Sequence, residues 1–277
     1  MTISRRRFFE GAAAVAAAAR LNADPLKMPI GFQSYSVRDL IAKDFAGTMK
    51  QMAGMGFRAI EMCSPPGYER AGFGTLTGLS ASAMRNTIET AGLKCESCHY
   101  QFRELQEKGE ERIAFARELG LKQMVVASFG IKEGSPLADW TKAAATMNRI
   151  GEQTKKAGIQ AAFHNHHGEF AKAGDTLIYD HLLTQLDPAL VKLQFQVAVV
   201  NIGFHAADYM KKYPGRFVSL HLADWSATEK KTVPIGQGLV DWKKLFAAAK
   251  KGGVRNYFVE MNLDLMRDSV PYLRKLA

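Results

Sequence analysis

Five times along the chain a helix-like stretch ends in glycine, one apolar residue follows, and a short apolar run begins: Gly56-Phe57, Gly92-Leu93, Gly120-Leu121, Gly158-Ile159 and Gly253-Val254. Glycine takes the left-handed conformation that closes a helix at no steric cost, so each pair predicts a helix stop feeding a strand. The runs that follow, such as residues 124–127 and 257–259, are short and apolar and read as strands. Between them, residues 82–91, 110–119 and 138–156 have helical composition and length. Filling in the weaker units predicts eight strands, near residues 30–33, 59–62, 94–98, 123–127, 160–163, 192–196, 217–222 and 257–260. Strands alternating with helices form parallel βα units. Eight such units in this length, with no Gly-x-Gly-x-x-Gly turn, predict an α/β fold closed as a single (β/α)8 TIM barrel.

The first residues stand outside that pattern. Ser4-Arg5-Arg6-Arg7-Phe8-Phe9-Glu10-Gly11 and the alanine-rich residues 12–19 give a basic start, a short apolar core and small residues, which reads as a signal peptide over residues 1–23. Paired arginines before two phenylalanines match the twin-arginine (Tat) type, so export through the Tat machinery to the periplasm is expected. The apolar core is far short of the roughly 20 residues of a membrane span, and no stable membrane anchor is expected. That leader carries four arginines and one glutamate, so without it the net charge falls from +10 to +7. Residues 24–277 then form one barrel domain of ordinary size. Its lysines, such as Lys155-Lys156 and Lys250-Lys251, lie in helix-like segments without interleaved aromatics. Solvated helix faces explain them better than a nucleic-acid partner does.

Ligand chemistry in a barrel sits at the C-terminal strand ends. There this chain is polar: Glu61, His99, His164-Asn165-His166-His167-Gly168-Glu169, Gln196, His221 with Asp224, and Glu260 with Asn262. Histidine ligates metals and carries protons near neutral pH, and glutamate serves as ligand or base, so this ring suits metal-assisted proton transfer. Glu61 has a second reading as a structural ion-pair partner, and His167 reads as an exposed loop residue. Alternation within strands puts His221 on one face with Ser219 and Phe217, away from Val218 and Leu220, and turns Gln194 and Gln196 inward. A buried amide needs partners, so Gln196 belongs either to the site or to a structural hydrogen-bond network.

Cys95-Glu96-Ser97-Cys98-His99 spells a c-type haem attachment pattern. It lies inside an expected strand, where alternation points Cys95 and Cys98 to opposite faces, so no haem is expected and both read as core cysteines. Cys63 makes the total odd, which leaves at least one thiol unpaired within the monomer.

Taken in order, residues 30–38, 163–170, His221-Leu222-Ala223-Asp224, Gly236-Gln237-Gly238-Leu239-Val240-Asp241-Trp242 and Val259-Glu260 resemble the xylose isomerase-like barrel family over essentially the whole mature chain. The family's sugar isomerases and epimerases hold a divalent metal with Glu, Asp, His and Glu from successive strands, while glutamates move a proton beside a carbonyl. The resemblance implies metal ligands Glu169, Gln196, His221 and Glu260, catalytic groups Glu260, Glu169 and His166, and substrate contacts from Gln33, Glu61, His99, His164 and Asp224. Only His221 and Glu260 match the ligand pattern directly. Gln196 stands where the pattern has Asp, His164-Asn165-His166 where it has Glu, and Ala223 where Lys is common. A charge pair near 4 Å is worth on the order of 4 kcal/mol at an effective dielectric of about 20, and about twice that for a divalent ion, so a neutral amide weakens a hard cation's site. Imidazoles suit Mn, Zn or a similar transition metal better than Mg.

The function expected is therefore a periplasmic sugar or keto-sugar isomerase or epimerase. Two alternatives remain: a lyase eliminating the aglycone of a 3-keto-glycoside, and a non-catalytic sugar-binding barrel whose metal set has decayed. An apurinic endonuclease is set aside, because that branch needs a three-metal cluster with more ligands than this chain offers.

Overall fold

The computed structural model describes residues 25–276. Among these, eight parallel strands close into a barrel: β1 (Gly31–Gln33), β2 (Ala59–Cys63), β3 (Lys94–Tyr100), β4 (Gln123–Val126), β5 (Gln160–His164), β6 (Val191–Gln196), β7 (Phe217–Leu222) and β8 (Asn256–Val259). Each strand pairs with its neighbour in the chain, and β8 closes on β1. The strands alternate with α1 (Phe45–Met55), α2 (Ala81–Thr90), α3 (Phe102–Leu119), α4 (Leu137–Lys156), α5 (Ile178–Gln185), α6 (Ala206–Lys212), α7 (Trp242–Gly252) and α8 (Leu263–Lys275). All five glycine stops are left-handed, with φ between 75° and 106°. No helix among the described residues is long and apolar enough to cross a membrane, and residues 1–23, expected to be a signal peptide, lie outside them.

Outward side chains of the strands, among them Met62, Phe163 and Phe195, are buried against the helices in the main core. The inward faces carry polar residues such as Gln33, Glu61, Ser97, Gln194, Ser219 and His221, whose burial is tolerated because they hydrogen-bond one another across the lumen. A Cβ at Gly31 would lie 2.5 Å from Phe258 Cδ1, so only glycine leaves room for that inward ring. Phe170 stacks on Tyr179 with ring centroids 4.6 Å apart, which moors the loop after β5 to α5.

Two bulges change which residues face inward. Between β2 and β3 the register steps from Ile60–Cys95 to Glu61–Ser97, leaving Glu96 unpaired. Cys95 therefore lies beside Ile60 and Cys98 beside Met62, on the same helix-facing side, not on opposite faces. The three cysteines are all free thiols. Burial pushes Cys95 up to about 12 and Cys98 well above the ordinary thiol range, as befits core residues. Between β6 and β7 the register steps past Val218. Phe217 then meets Phe195 on the outer face, while Val218 turns inward to pack with Val125 and Ala162. Ser219 and His221 keep the inward orientation that alternation assigns them.

Candidate active site

Glu61 is the centre of the inward polar cluster. It is fully buried on β2, and its carboxylate accepts from Ser97 Oγ (2.5 Å), Gln194 Nε2 (2.8 Å), Gln33 Nε2 (2.6 Å) and His221 Nε2 (2.5 Å). All four donors come from other strands, so the carboxylate ties β1, β3, β6 and β7 together across the lumen. Burial opposes the charge, but His99, His221 and the hydrogen bonds outweigh it and hold Glu61 below the usual carboxylate value.

His221 lies between two carboxylates. Its Nε2 faces Glu61, and its Nδ1 lies 2.9 Å from Glu260 Oε2. An acceptor on each nitrogen requires a proton on each, so the ring is an imidazolium. Burial disfavours that charge, yet Glu260 and Glu61 overcome it and raise His221 to about 10. Glu260, just past β8, also accepts from Gln196 Nε2 at 2.5 Å. Against the cost of burial, His221 and Gln196 bring its carboxyl down to about 2. Its side chain is 24% exposed, whereas those of Glu61 and His221 are fully buried. Glu260 is thus the end of the Glu61–His221–Glu260 chain that opens outward.

His99 Nε2 lies 2.6 Å from Gln194 Oε1 and 3.2 Å from Glu61. Both are acceptors, which assigns the proton to Nε2 and leaves Nδ1 with its lone pair. His164 is buried and its Nδ1 has no hydrogen-bond partner. Burial, together with its histidine neighbours, holds it neutral, well below the ordinary value. His164 and His221 have ring centroids 4.4 Å apart, and His99 stacks on His221 at 5.0 Å. Above them opens a cavity of about 640 Å³, lined by His99, His164, His166, Glu260, Tyr35, Tyr68, Arg70, Gln101 and Ser128, among others.

The sequence-expected residues divide into three groups. His99, His164, His166 and Glu260 meet at the cavity, with His221 and Gln196 behind Glu260. Gln33 and Glu61, expected as substrate contacts, lie beneath: Gln33 spends its amide on Glu61, Ser34 and the Tyr35 N–H, and so orients Glu61. Asp224 and Glu169 turn elsewhere. The Asp224 carboxylate accepts from the backbone N–H groups of Trp225, Gly236, Gly238 and Val240 and from Trp242 Nε1, so it holds the loop after β7 and is not a substrate contact. A Cβ at Gly238 would lie 2.2 Å from Asp224 Oδ1, which explains the glycine in that motif.

Glu169 is buried and accepts from the His166 N–H at 2.7 Å, and the described contacts do not bring it together with Gln196, His221 or Glu260. It therefore shapes the loop carrying His166. Burial pushes its carboxyl up to about 7 against that hydrogen bond. A raised acid favours the protonated fold, so stability is fullest below the ordinary value of 4.5 and is lost as pH rises through about 7. Glu169→Gln is expected to match the wild type near pH 4 and to exceed it by at most about 3 kcal/mol at pH 8 in urea unfolding. An unchanged gap across that range would refute this assignment.

Sequence reasoning missed Ser97, and it put Ser219 on the face of His221 without giving it a role, although each stands two residues before a strand-end histidine. It also missed the rim residues Tyr35, Tyr68, Arg70, Gln101 and Ser128, which lie outside the strands.

Suitable ligand atoms of His99, His164 and His221 lie within 4.8 Å of one another. With the unpartnered His164 Nδ1 and the nearby Glu260, this nitrogen-rich set fits a divalent transition metal better than a hard cation. A metal taking His221 must first displace one of its two protons.

A closed eight-stranded barrel with an acid–base and imidazole cluster at its C-terminal mouth is the arrangement of a TIM-barrel enzyme. The chain belongs to the xylose isomerase-like TIM barrel family, whose pattern matches residues 49–276. An inosose dehydratase of Lacticaseibacillus casei is 23% identical over 241 residues, covering 73% of this chain and 80% of its own. A sugar phosphate isomerase/epimerase crystal structure from Parabacteroides distasonis ATCC 8503 superposes with a TM-score of 0.75 at 25% identity, covering 88% of this chain and 93% of that one. A xylose isomerase-like barrel from Mycobacterium smegmatis, solved in complex with magnesium, shares the fold with a TM-score of 0.67 at 16% identity, covering 91% and 97%.

Proposed function

We propose that this protein is an enzyme that removes a proton beside the carbonyl of a sugar, keto-sugar or related cyclic ketone. The enediolate is then either reprotonated, giving isomerisation or epimerisation, or expels a β-substituent, giving elimination. The observation that carries this reading is Glu260, an ionised carboxylate facing the cavity that His164 and His166 also line. The relatives named above, a dehydratase and an isomerase/epimerase, correspond to the two outcomes.

In this reading Glu260 takes the proton and gives it back to carbon or to the leaving group, His221 and Gln196 orient its carboxylate, and His166, kept neutral by burial, hydrogen-bonds the substrate at the rim. A carboxylate near 2 is a weak base, so the reaction requires strong polarisation of the carbonyl. A divalent metal held by His99, His164 and His221 would supply that Lewis acidity when bound. The leader motif Arg5-Arg6-Arg7-Phe8-Phe9 supports a periplasmic location, which fractionation of cells making the full chain checks.

The decisive assay incubates the purified protein with Zn, Mn or Mg in D2O against a panel of sugars and keto-sugars. Deuterium beside the carbonyl without loss of a group supports isomerisation or epimerisation. Release of water or an aglycone supports elimination. Saturable sugar binding with neither exchange nor release across the panel overturns the proposal in favour of a non-catalytic barrel.

A further inference from the structure

The lumen holds a second polar chamber at the opposite end of the barrel. Read from floor to mouth, the inward residues of β4 and its continuation are Gln123, Val125 and Ala127, and those of β5 are Gln160, Ala162 and His164. Those of β8 and its continuation are Asn256, Phe258 and Glu260. Val125, Ala162 and Val218 form an apolar cluster at the middle level. Ala127, His164 and Glu260 belong to the mouth, at or beside the cavity already described. Gln123, Gln160 and Asn256 line a separate cavity of about 410 Å³ at the floor.

Three cations border that floor cavity, Lys122, Lys155 and Arg255, against one carboxylate, Glu96. None of the three cations has an ion-pair partner among the described residues. Lys155 Nζ donates to the Ala189 carbonyl at 3.3 Å. Among the described residues at this end, Arg58 donates to the carbonyls of Ala53 and Phe57, Arg216 to those of Leu183 and Leu186, and Lys192 to that of Gly215. Lys122 and Arg255 make no such side-chain bond among the described residues and are exposed, so both are open to an anionic ligand. A second, independent feature points the same way. Gln123 is 1% exposed, and its Oε1 has no hydrogen-bond partner. Asn256 Oδ1 is likewise unpartnered. Buried acceptors without donors are costly, and a ligand that completes them gains by it.

We propose that the barrel floor is a second binding site for a small phosphorylated polyol. Lys122 and Arg255 hold the phosphate, and the ligand's hydroxyls donate to Gln123 Oε1 and Asn256 Oδ1. The pairing of free cations with unmet acceptors selects a molecule that is both anionic and hydroxylated. Inorganic phosphate lacks hydroxyls set apart from the phosphate on a carbon frame, which reaching both the cations and the acceptors requires.

The test is isothermal titration of the full chain, at low ionic strength, with glycerol 2-phosphate and with inorganic phosphate. Glycerol 2-phosphate is expected to bind saturably and about ten-fold more tightly than inorganic phosphate, the equivalent of one well-made hydrogen bond. Lys122→Ala with Arg255→Ala should abolish both, and Gln123→Leu should remove the preference while keeping the phosphate. Turnover at the mouth should be unchanged in the Lys122/Arg255 variant, since neither residue touches that site. Circular dichroism and melting curves show whether each variant is folded. Equal binding by the folded double variant, or no saturable binding of either probe to the wild type, would overturn the proposal.

Discussion

Replacing Glu260 by glutamine is expected to lower turnover by about 10²–10⁴-fold, the range that a positioned general base contributes, while the barrel still folds. The substitution keeps the side chain's shape and removes its charge. His221 retains Glu61 as its partner, so the imidazolium is not stranded. The readout is the rate of solvent deuterium exchange into substrate, with KM followed separately. A fall confined to kcat identifies a group that acts in the transition state, whereas a rise confined to KM would reduce Glu260 to a binding residue. The pH profile is a further check. With Glu260 near 2 and His221 near 10, this pair keeps the same charge throughout pH 5–8. Neither group should then contribute a limb in that range to a profile measured without added metal. A bell centred on neutral pH would assign the chemistry to other groups.

The barrel was legible because its signals are local. Gly56, Gly92, Gly120, Gly158 and Gly253 each stop a helix through their own backbone conformation, and every predicted strand lies within two residues of an observed one. The bulges at Glu96 and Val218 have no such signature. One unpaired residue reverses the alternation on one side of it, which is why Cys95 joins Cys98 on one face and why Phe217 and Val218 exchange sides.

The site was partly legible for a related reason. A polar residue at a barrel strand's end is a strong sign, and it located His99, His164, His221 and Glu260. What the sequence does not contain is the direction in which a carboxylate outside the barrel strands turns. Asp224 reads the same whether it faces a substrate or five donors of its own loop. The glycines at 236 and 238, which bring two of those donors close, were the available clue. Glu169 is the parallel case: three residues after His166, it bonds back to that residue's N–H and stays local.

Glu61→Leu is expected to cost more stability than any change at the mouth, about 3–5 kcal/mol, the range for breaking a buried charge pair by removing one partner. The substitution leaves Ser97 Oγ, Gln33 Nε2, one Gln194 contact and His221 Nε2 without their acceptor. Leucine fills similar space but accepts nothing, so the loss comes from unmet donors and not from a void. At about 2–4 °C per kcal/mol for a domain of this size, the midpoint should fall by roughly 10 °C. The pH dependence separates this cause from simple mispacking. His221 is raised, so its contribution is complete below about 6.5 and fades as pH climbs through about 10. Glu61 is depressed, so its contribution is complete above 4.5 and is lost in acid. The contribution of the Glu61–His221 pair should therefore hold a plateau between those limits, read as the difference between wild type and variant so that the Glu169 effect cancels. In the leucine variant His221 keeps only Glu260, its proton is released at lower pH, and the alkaline edge of the plateau should move toward neutrality. Glu61→Gln, which restores one acceptor without charge, should recover part of the midpoint and little of the alkaline edge. Melting curves at pH 5, 7 and 9 distinguish these outcomes. A uniform drop at all three would mean that the glutamate supports the barrel by packing alone.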